Sequence, residues 1–281
     1  MIKSQVIEYD TILSMITNKS LGQHFLFDRT ILTEIVNFAG ADPDGTVLEI
    51  GPGLGTLTSV LLKKFNHVVA IEYDADLADK LPAQFPGREN NLTIFNADFL
   101  QFNLNQLPAN YHVVANIPYY ITAKIVRKLL TAENKPKTIT LLVQKEVAER
   151  LAAEPGDLSI LAISAQVYSR VTLGPIVGKN WFTPPPKVDS QVVKMELYDQ
   201  NLVADLNEDE FFRLVKIGFS SPRKKVLRNL AGGLHENPNK IREIFVQLNI
   251  AENTRAEDLT IDQWNKLCYN IQHEISAEQE S

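Results

Sequence analysis

Cysteine is nearly absent from this 281-residue chain, Cys268 being the only one. An internal disulfide is therefore excluded, and a zinc–thiolate cluster is not expected. Long apolar runs are missing as well: no stretch approaches the roughly 18 uninterrupted apolar residues of a membrane span. The first twenty residues contain no apolar h-region, no cleavage pattern and no arginine, and they carry Glu8 and Asp10. They read as neither a signal nor a transit peptide. Histidine is sparse, and His24, His67, His112, His235 and His273 fall at no metal-ligand spacing. Internal repeats and low-complexity tracts are absent. The expectation is a cytoplasmic globular enzyme without a metal or a membrane partner.

What is present suits a well-packed protein. Hydrophobic residues make up 44% of the chain and charged residues 22%, which excludes disordered and collagen-like classes. The net charge of −6 weighs by itself against a polyanionic partner, but the charge is segregated. Between Arg213 and Arg242 there are eight Lys or Arg against the single acid Glu236, a local excess of +7. From Glu243 onward eight acids face Arg255 and Lys266, an excess of −6. The basic stretch is either a solvated helix face or the part of the chain that meets a polyanion.

Strand-like apolar runs occupy 46–51, 67–72, 92–98, 111–117, 138–143, 170–177 and 190–197. Helical spacing appears at 56–65, 75–84, 122–132 and 158–168. Alternation of strands and helices predicts an α/β fold, with a mostly parallel seven-stranded sheet covered on both faces. After Tyr198 the spacing is helical only, over 208–219, 223–233, 239–248 and 260–275. The chain is thus expected to divide into an N-terminal extension (1–18), an α/β domain (19–200) and a small all-helical domain (201–281).

Glu49-Ile50-Gly51-Pro52-Gly53-Leu54-Gly55 lies between the first strand and the first helix of this pattern. Gly51, Gly53 and Gly55 let the backbone turn sharply and approach a ligand that side chains would block. Glu72, 21 residues past Gly51, ends the next strand, where a carboxylate can hold ribose hydroxyls. Loop and acid together specify a nucleoside-bearing cofactor. The third glycine of a dinucleotide fingerprint is missing, so a nicotinamide is the weaker reading beside S-adenosyl-L-methionine, which carries no phosphate. Asp98 ends the third strand and can accept a hydrogen bond from the cofactor's adenine amine, or else simply cap the next turn.

Asn116-Ile117-Pro118-Tyr119 ends the fourth strand at the same edge. An adenine amine is a poor nucleophile because its lone pair is delocalised into the ring. The Asn116 side-chain oxygen and the Ile117 or Pro118 carbonyl can hold such an amine, and Tyr119 can stack on an extruded base. Transfer from a sulfonium is mostly a matter of alignment and needs no metal.

These residues resemble the ribosomal RNA adenine N6-dimethyltransferases, most closely the KsgA type that acts on small-subunit RNA. The likeness runs from about Ser20 to Leu230. It includes Leu21-Gly22-Gln23-His24-Phe25-Leu26, the glycine loop, Glu72, Asp98 and Asn116–Tyr119. It continues through Gln144–Leu151, Phe182–Ser190 and Arg223–Asn229. The resemblance implies a Rossmann-like S-adenosylmethionine-dependent methyltransferase that dimethylates N6 of two adjacent adenines in a hairpin loop near the RNA 3′ end. It implies that His24 and Leu26 border the cofactor beside Gly51, Glu72, Asp98 and Asn116. It also implies that Phe182 stacks on the target adenine opposite Tyr119.

Four positions depart from the family pattern: His24 stands for Asn, Ile117 for Leu and Val226 for Thr, and the 154–159 loop lacks a Lys and a Tyr-Gly. Ile117 is shared with sister enzymes that modify large-subunit RNA and confer antibiotic resistance. Arg223, Lys224, Lys225 and Arg228 fall within two predicted helical turns and suit RNA phosphates, with Lys145 and Arg150 as secondary candidates. The expected partner is small-subunit rRNA in a pre-assembled ribosomal particle, met by a monomeric enzyme. The alternatives are a large-subunit rRNA methyltransferase, a non-catalytic RNA-binding assembly factor on the same fold, and a nicotinamide oxidoreductase.

Overall fold

A computed structural model of the chain describes residues 24–279, with side chains to residue 273. The Leu21–Gln23 part of the motif and the expected 1–18 extension lie outside the described residues. In chain order the elements are β1 (Phe25–Leu26), α1 (Arg29–Ala39), β2 (Thr46–Ile50), α2 (Thr58–Lys64), β3 (His67–Glu72), α3 (Ala75–Lys80) and β4 (Leu92–Asn96). Then follow β5 (His112–Asn116), α4 (Thr122–Thr131), β6 (Thr138–Gln144), α5 (Lys145–Leu151), α6 (Ile160–Gln166), β7 (Ser169–Val177), β8 (Phe182–Thr183) and β9 (Ser190–Leu197). Four helices complete the chain: α7 (Glu208–Gly218), α8 (Val226–Leu234), α9 (Pro238–Gln247) and α10 (Ile261–Gln279).

Seven strands form one sheet in the order β4-β3-β2-β5-β6-β9-β7, and β1 pairs antiparallel with β8 in a separate ribbon. The pairs β2–β3, β2–β5, β3–β4 and β5–β6 are all parallel. Val47, Leu48 and Ile50 of β2 and Val113, Val114 and Ala115 of β5 are all buried, as central parallel strands covered on both faces require. The chain runs outward from β2 through β3 to β4, then returns to the other side of β2 as β5. Strand order reverses between β2 and β5, and the crevice beyond their carboxyl ends is the ligand position of open α/β sheets.

Two compact units emerge: one runs to Lys145 and takes in Leu173–Lys194, and the other comprises Glu146–Thr172 and the chain from Met195 on. Strands β7 and β9 pass from one unit to the other. Helix α1 is the main element that sequence pattern did not anticipate. Asp28 accepts hydrogen bonds from the backbone N–H groups of Thr30 and Ile31, and Gly40 closes the helix at φ 60°. Leu32, Ile35, Val36 and Ala39 bury one stripe of it. A side-chain cap of this kind stabilises a helix by about 1 kcal/mol.

In the second unit, α8 begins at Val226 rather than at residue 223. Ser221-Pro222 starts a turn that the Lys224 N–H closes on the Ser221 carbonyl at 2.9 Å. Lys225, extended at ψ 131°, then forms an isolated bridge to Arg255. Arg223, Lys224 and Lys225 therefore precede the helix, and of the four basic residues expected within two helical turns only Arg228 lies in it. Asn229 holds that turn from inside α8: its Nδ2 donates to the carbonyls of Gly218 at 2.6 Å and Ser221 at 3.1 Å. Replacing Asn229 by Ala removes its donor from the Gly218 carbonyl and leaves the Ser221 carbonyl with the Lys224 N–H alone; it should cost about 1–3 kcal/mol, read as a lower urea midpoint at unchanged m-value.

Candidate active site

The crevice holds a cavity of about 370 Å³ walled by the ends of β2, β3, β4 and β5 together with β1. The glycine loop forms its floor. Gly53 and Gly55 sit at φ 56° and 73°, conformations that an L side chain rarely adopts. A Cβ on Gly55 would lie 2.7 Å from Leu81 Cδ1, so that position is closed by packing as well as by backbone. A Cβ on Gly51 would meet nothing within 4 Å, which leaves the loop backbone open to a ligand there.

Glu72 ends β3 and is only 2% exposed. Its Oε2 accepts the Gly53 N–H and its Oε1 the Asp74 N–H, both at 2.9 Å. The carboxylate is thus fixed against the glycine loop, and each oxygen keeps a lone pair for a ligand hydroxyl. Burial raises its pKa above the ordinary carboxylate value, opposed by those two N–H groups. Asp98 follows β4, its Oδ1 accepting the Leu100 N–H at 2.8 Å and its Oδ2 remaining for a ligand amine.

Asn116 is the last residue of β5. Its Nδ2 donates to the His24 carbonyl at 3.3 Å, which assigns the remaining amide atom, Oδ1, to the acceptor role. His24 Nδ1 in turn lies 2.8 Å from the Pro184 carbonyl, and its ring stacks on Tyr119 with centroids 5.7 Å apart. Tyr119 is half-buried and its hydroxyl lies 2.6 Å from Ser190 Oγ. The structure brings His24, Leu26, Gly51, Gly53, Glu72, Asp98, Asn116, Pro118 and Tyr119 to one cavity.

Gly55 stands behind the loop instead, against Leu81 and Phe85. Phe182 also lies elsewhere: its ring is 3% exposed and belongs to the hydrophobic core with Leu26 and Leu32. Its backbone pairs with Leu26 in the β1–β8 ribbon. Phe182 thereby anchors the segment that carries Pro184. Of the phosphate candidates, Arg150, Arg223, Lys224 and Arg228 are exposed, while Lys145 and Lys225 are half-buried. Lys225 Nζ lies 3.9 Å from Glu252, which also takes Arg242 at 3.3 Å.

Glu49 is the wall residue to which the sequence assigned no role, although it opens the glycine motif. It is 1% exposed, and Thr58 Oγ1 donates to its Oε2 at 2.6 Å. Burial pushes its carboxyl up to about 8; the Thr58 hydrogen bond opposes that rise and the neighbouring Glu72 adds to it. The residues present fit a ligand with ribose hydroxyls, an aromatic amine and positive charge: a bare backbone cradle, two buried carboxyl groups and an open acceptor at Asp98. No group of three His, Cys, Asp or Glu that could hold a metal occurs among the described residues. None of the described helices is long and apolar enough to cross a membrane.

A parallel sheet reversed at β2 and β5, a glycine loop without the dinucleotide spacing and an acid at the next strand end define an S-adenosylmethionine-dependent methyltransferase. The family model of ribosomal RNA adenine dimethylase matches residues 15–273, and the chain belongs to that family. It is 38% identical over 253 residues to a ribosomal RNA small subunit methyltransferase A of Dehalococcoides mccartyi (strain CBDB1), covering 89% of this chain and 87% of that protein. The protein of the same name from Alkaliphilus metalliredigens (strain QYMF) is 39% identical over 263 residues, covering 90% and 91%. Among solved structures, a dimethyladenosine transferase from Plasmodium falciparum is similar at TM-score 0.75 and 27% identity, over 89% of this chain and 98% of that one. The 23S rRNA methyltransferase ErmE follows at TM-score 0.72 and 27% identity, over 88% and 99%.

The raised pKa of Glu49 makes a testable statement about stability. A carboxyl whose folded pKa lies above its unfolded value contributes stability at low pH that is lost as pH rises through the folded pKa. Glu49→Gln keeps the acceptor for Thr58 and removes the titration. Its melting temperature should therefore gain on the wild type between about pH 4.5 and pH 8 and then level off. Thermal melts of both proteins across that range check it, and a constant offset would contradict the assignment.

Proposed function

We propose that this chain methylates N6 of two adjacent adenosines in a hairpin loop near the 3′ end of small-subunit (16S) rRNA. The product is a pair of N6-dimethyladenosines, made in the cytoplasm by a monomer acting on a pre-assembled particle during small-subunit biogenesis. The single observation that carries the chemistry is the orientation of Asn116, whose Nδ2 is committed to the His24 carbonyl at 3.3 Å. Its Oδ1 then accepts an N–H of the target amine. The Ile117 or Pro118 carbonyl accepts the other, and together they favour a tetrahedral nitrogen with its lone pair free.

When bound, S-adenosylmethionine supplies a methyl group on a sulfonium sulfur. Glu72 holds the ribose hydroxyls, Asp98 accepts from the adenine amine, and the backbone at Gly51 and Gly53 gives the ligand close approach. His24 and Leu26 close the near wall. Tyr119 stacks on the extruded target base, its hydroxyl steadied by Ser190. The chain's contribution is alignment, the largest lever on a donor that is already activated.

Small-subunit RNA is preferred to large-subunit RNA because the relatives named above as small subunit methyltransferases are 38% and 39% identical, against 27% for the 23S enzyme. RNA phosphates would meet Arg223, Lys224, Lys225 and Arg228, with Lys145 and Arg150 as further contacts. A hairpin loop suits the chemistry because its bases are partly unstacked and cost less to extrude than paired ones.

Labelled cofactor and small-subunit particles test the proposal directly. Label should appear in dimethyladenosine at adjacent positions near the RNA 3′ end; cofactor binding without label in adenine would favour an assembly factor. Asn116→Ala should lower turnover by roughly a hundredfold or more while cofactor affinity and melting temperature stay near wild type. Retained turnover would remove Asn116 from the reaction centre. Replacing Arg223, Lys224 and Lys225 together by Ala should raise the KM for particles and flatten the salt dependence, by about 0.7 in slope per lost phosphate contact. An unchanged slope would leave that turn as a solvated surface.

A further inference from the structure

The wall of the cavity that carries Asp98 is an irregular loop, residues 97–103, with no regular ladder to hold it. Its carbonyls at Leu100 and Phe102 are satisfied from outside the loop. Lys128, in the second turn of α4, donates from Nζ to the Leu100 carbonyl at 3.0 Å and to the Phe102 carbonyl at 2.6 Å. The same ammonium lies 5.4 Å from the centroid of the Phe99 ring, which lines the cavity and is 5% exposed. We propose that Lys128 is a positioning residue for the adenine half of the cofactor site, holding Asp98 and Phe99 in place from the helix that follows the reaction centre.

The geometry gives this contact more weight than an ordinary surface lysine has. Two backbone acceptors, one aromatic face and the Asp98 charge converge on one ammonium, and no other side chain described here reaches those two carbonyls. Burial lowers the Lys128 pKa while the Asp98 carboxylate opposes the change, as expected of a half-buried cation beside a carboxylate. Helix α4 is itself fixed by Ile125, Val126, Leu129 and Leu130, all 2% exposed or less. It starts immediately after Asn116-Ile117-Pro118-Tyr119 and the single 3-10 turn Tyr119–Ile121. One helix thus references the wall beside the cofactor's adenine to the strand end that holds the target amine. Moving the loop by a fraction of an ångström would shift the donor relative to Asn116, and alignment is what this reaction depends on.

The proposal rests on the placement of the cofactor's adenine at Asp98, so the experiment separates the two. Dissociation constants for S-adenosylmethionine and for adenosine alone are measured by calorimetry on the full chain. The proteins are the wild type, Lys128→Met, Lys128→Gln, Lys128→Arg, Asp98→Ala and the Lys128→Met/Asp98→Ala double variant. Lys128→Met should weaken both ligands by a common factor of about tenfold, the scale of one charge-assisted hydrogen bond. Lys128→Arg, which keeps the charge and its donors, should recover most of the affinity. The double variant should be weakened by less than the product of the two single effects, because both act on one loop.

Thermal melts accompany every variant, and Lys128→Gln, which can still donate to one carbonyl, serves if Lys128→Met does not fold. A merely structural lysine would lower the melting temperature and leave both dissociation constants of the folded protein unchanged, which overturns the proposal. So does Lys128→Met weakening S-adenosylmethionine but not adenosine. If Asp98→Ala leaves adenosine binding untouched, the placement of the adenine fails instead, whatever Lys128 does.

Discussion

The reversal of strand order between β2 and β5 is the constraint on which the site depends. Both strands are parallel and buried on both faces, so they must end at the same edge of the sheet, and the connections that leave them diverge to opposite sides. The gap so produced is filled from three directions: by the glycine loop after β2, by Glu72 and Asp98 beyond β3 and β4, and by Asn116 at the end of β5. The Gly53 N–H bond to Glu72 at 2.9 Å locks the first two together.

The β1–β8 ribbon closes the remaining wall. His24 precedes β1 and Pro184 follows β8, and the imidazole–carbonyl contact at 2.8 Å joins the two ends. The carbonyl of the same His24 orients Asn116, while its ring lies against Tyr119, whose hydroxyl reaches Ser190 at the start of β9. A histidine at this position therefore does two kinds of work: its carbonyl holds the Asn116 amide, and its side chain ties the Phe182–Ser190 segment to the end of β1. Electrostatics favour the same ligand. Two buried carboxyl groups, Glu49 and Glu72, face a cavity that suits a positively charged nucleoside, and low local dielectric makes each of them sensitive to that charge.

In the second unit the basic stretch is less uniform than its count of charges. Glu252 draws on Arg242, Lys225 and Arg228 together, and its carboxyl is held below the usual range, first by the Arg242 hydrogen bond. Part of the excess between Arg213 and Arg242 is thus compensated from the acidic stretch that follows it. Arg223 and Lys224 are exposed in the turn before α8.

Much of the fold could be read from the chain because parallel strands are short apolar runs bounded by glycine and charged residues. All seven strands of the large sheet were expected within a residue or two of where they lie. Helix α1 was not anticipated although Asp28, Gly40 and the Leu32–Ile35–Val36–Ala39 stripe carry its signature, and α5 was likewise not anticipated. The start of α8 was placed three residues early because a run of Arg and Lys has good helix propensity, while the Ser221-Pro222 turn and the bridge to Arg255 override it. By itself the sequence determined the strand-end residues, the glycine loop and the class of cofactor, since each is a local pattern of residue types. Only the tertiary structure decided that Phe182 turns inward, that Glu49 keeps its proton to about pH 8, and that Lys128 reaches the Asp98 loop. Those outcomes depend on burial and on contacts between residues far apart in the chain, and neither is encoded at the position itself.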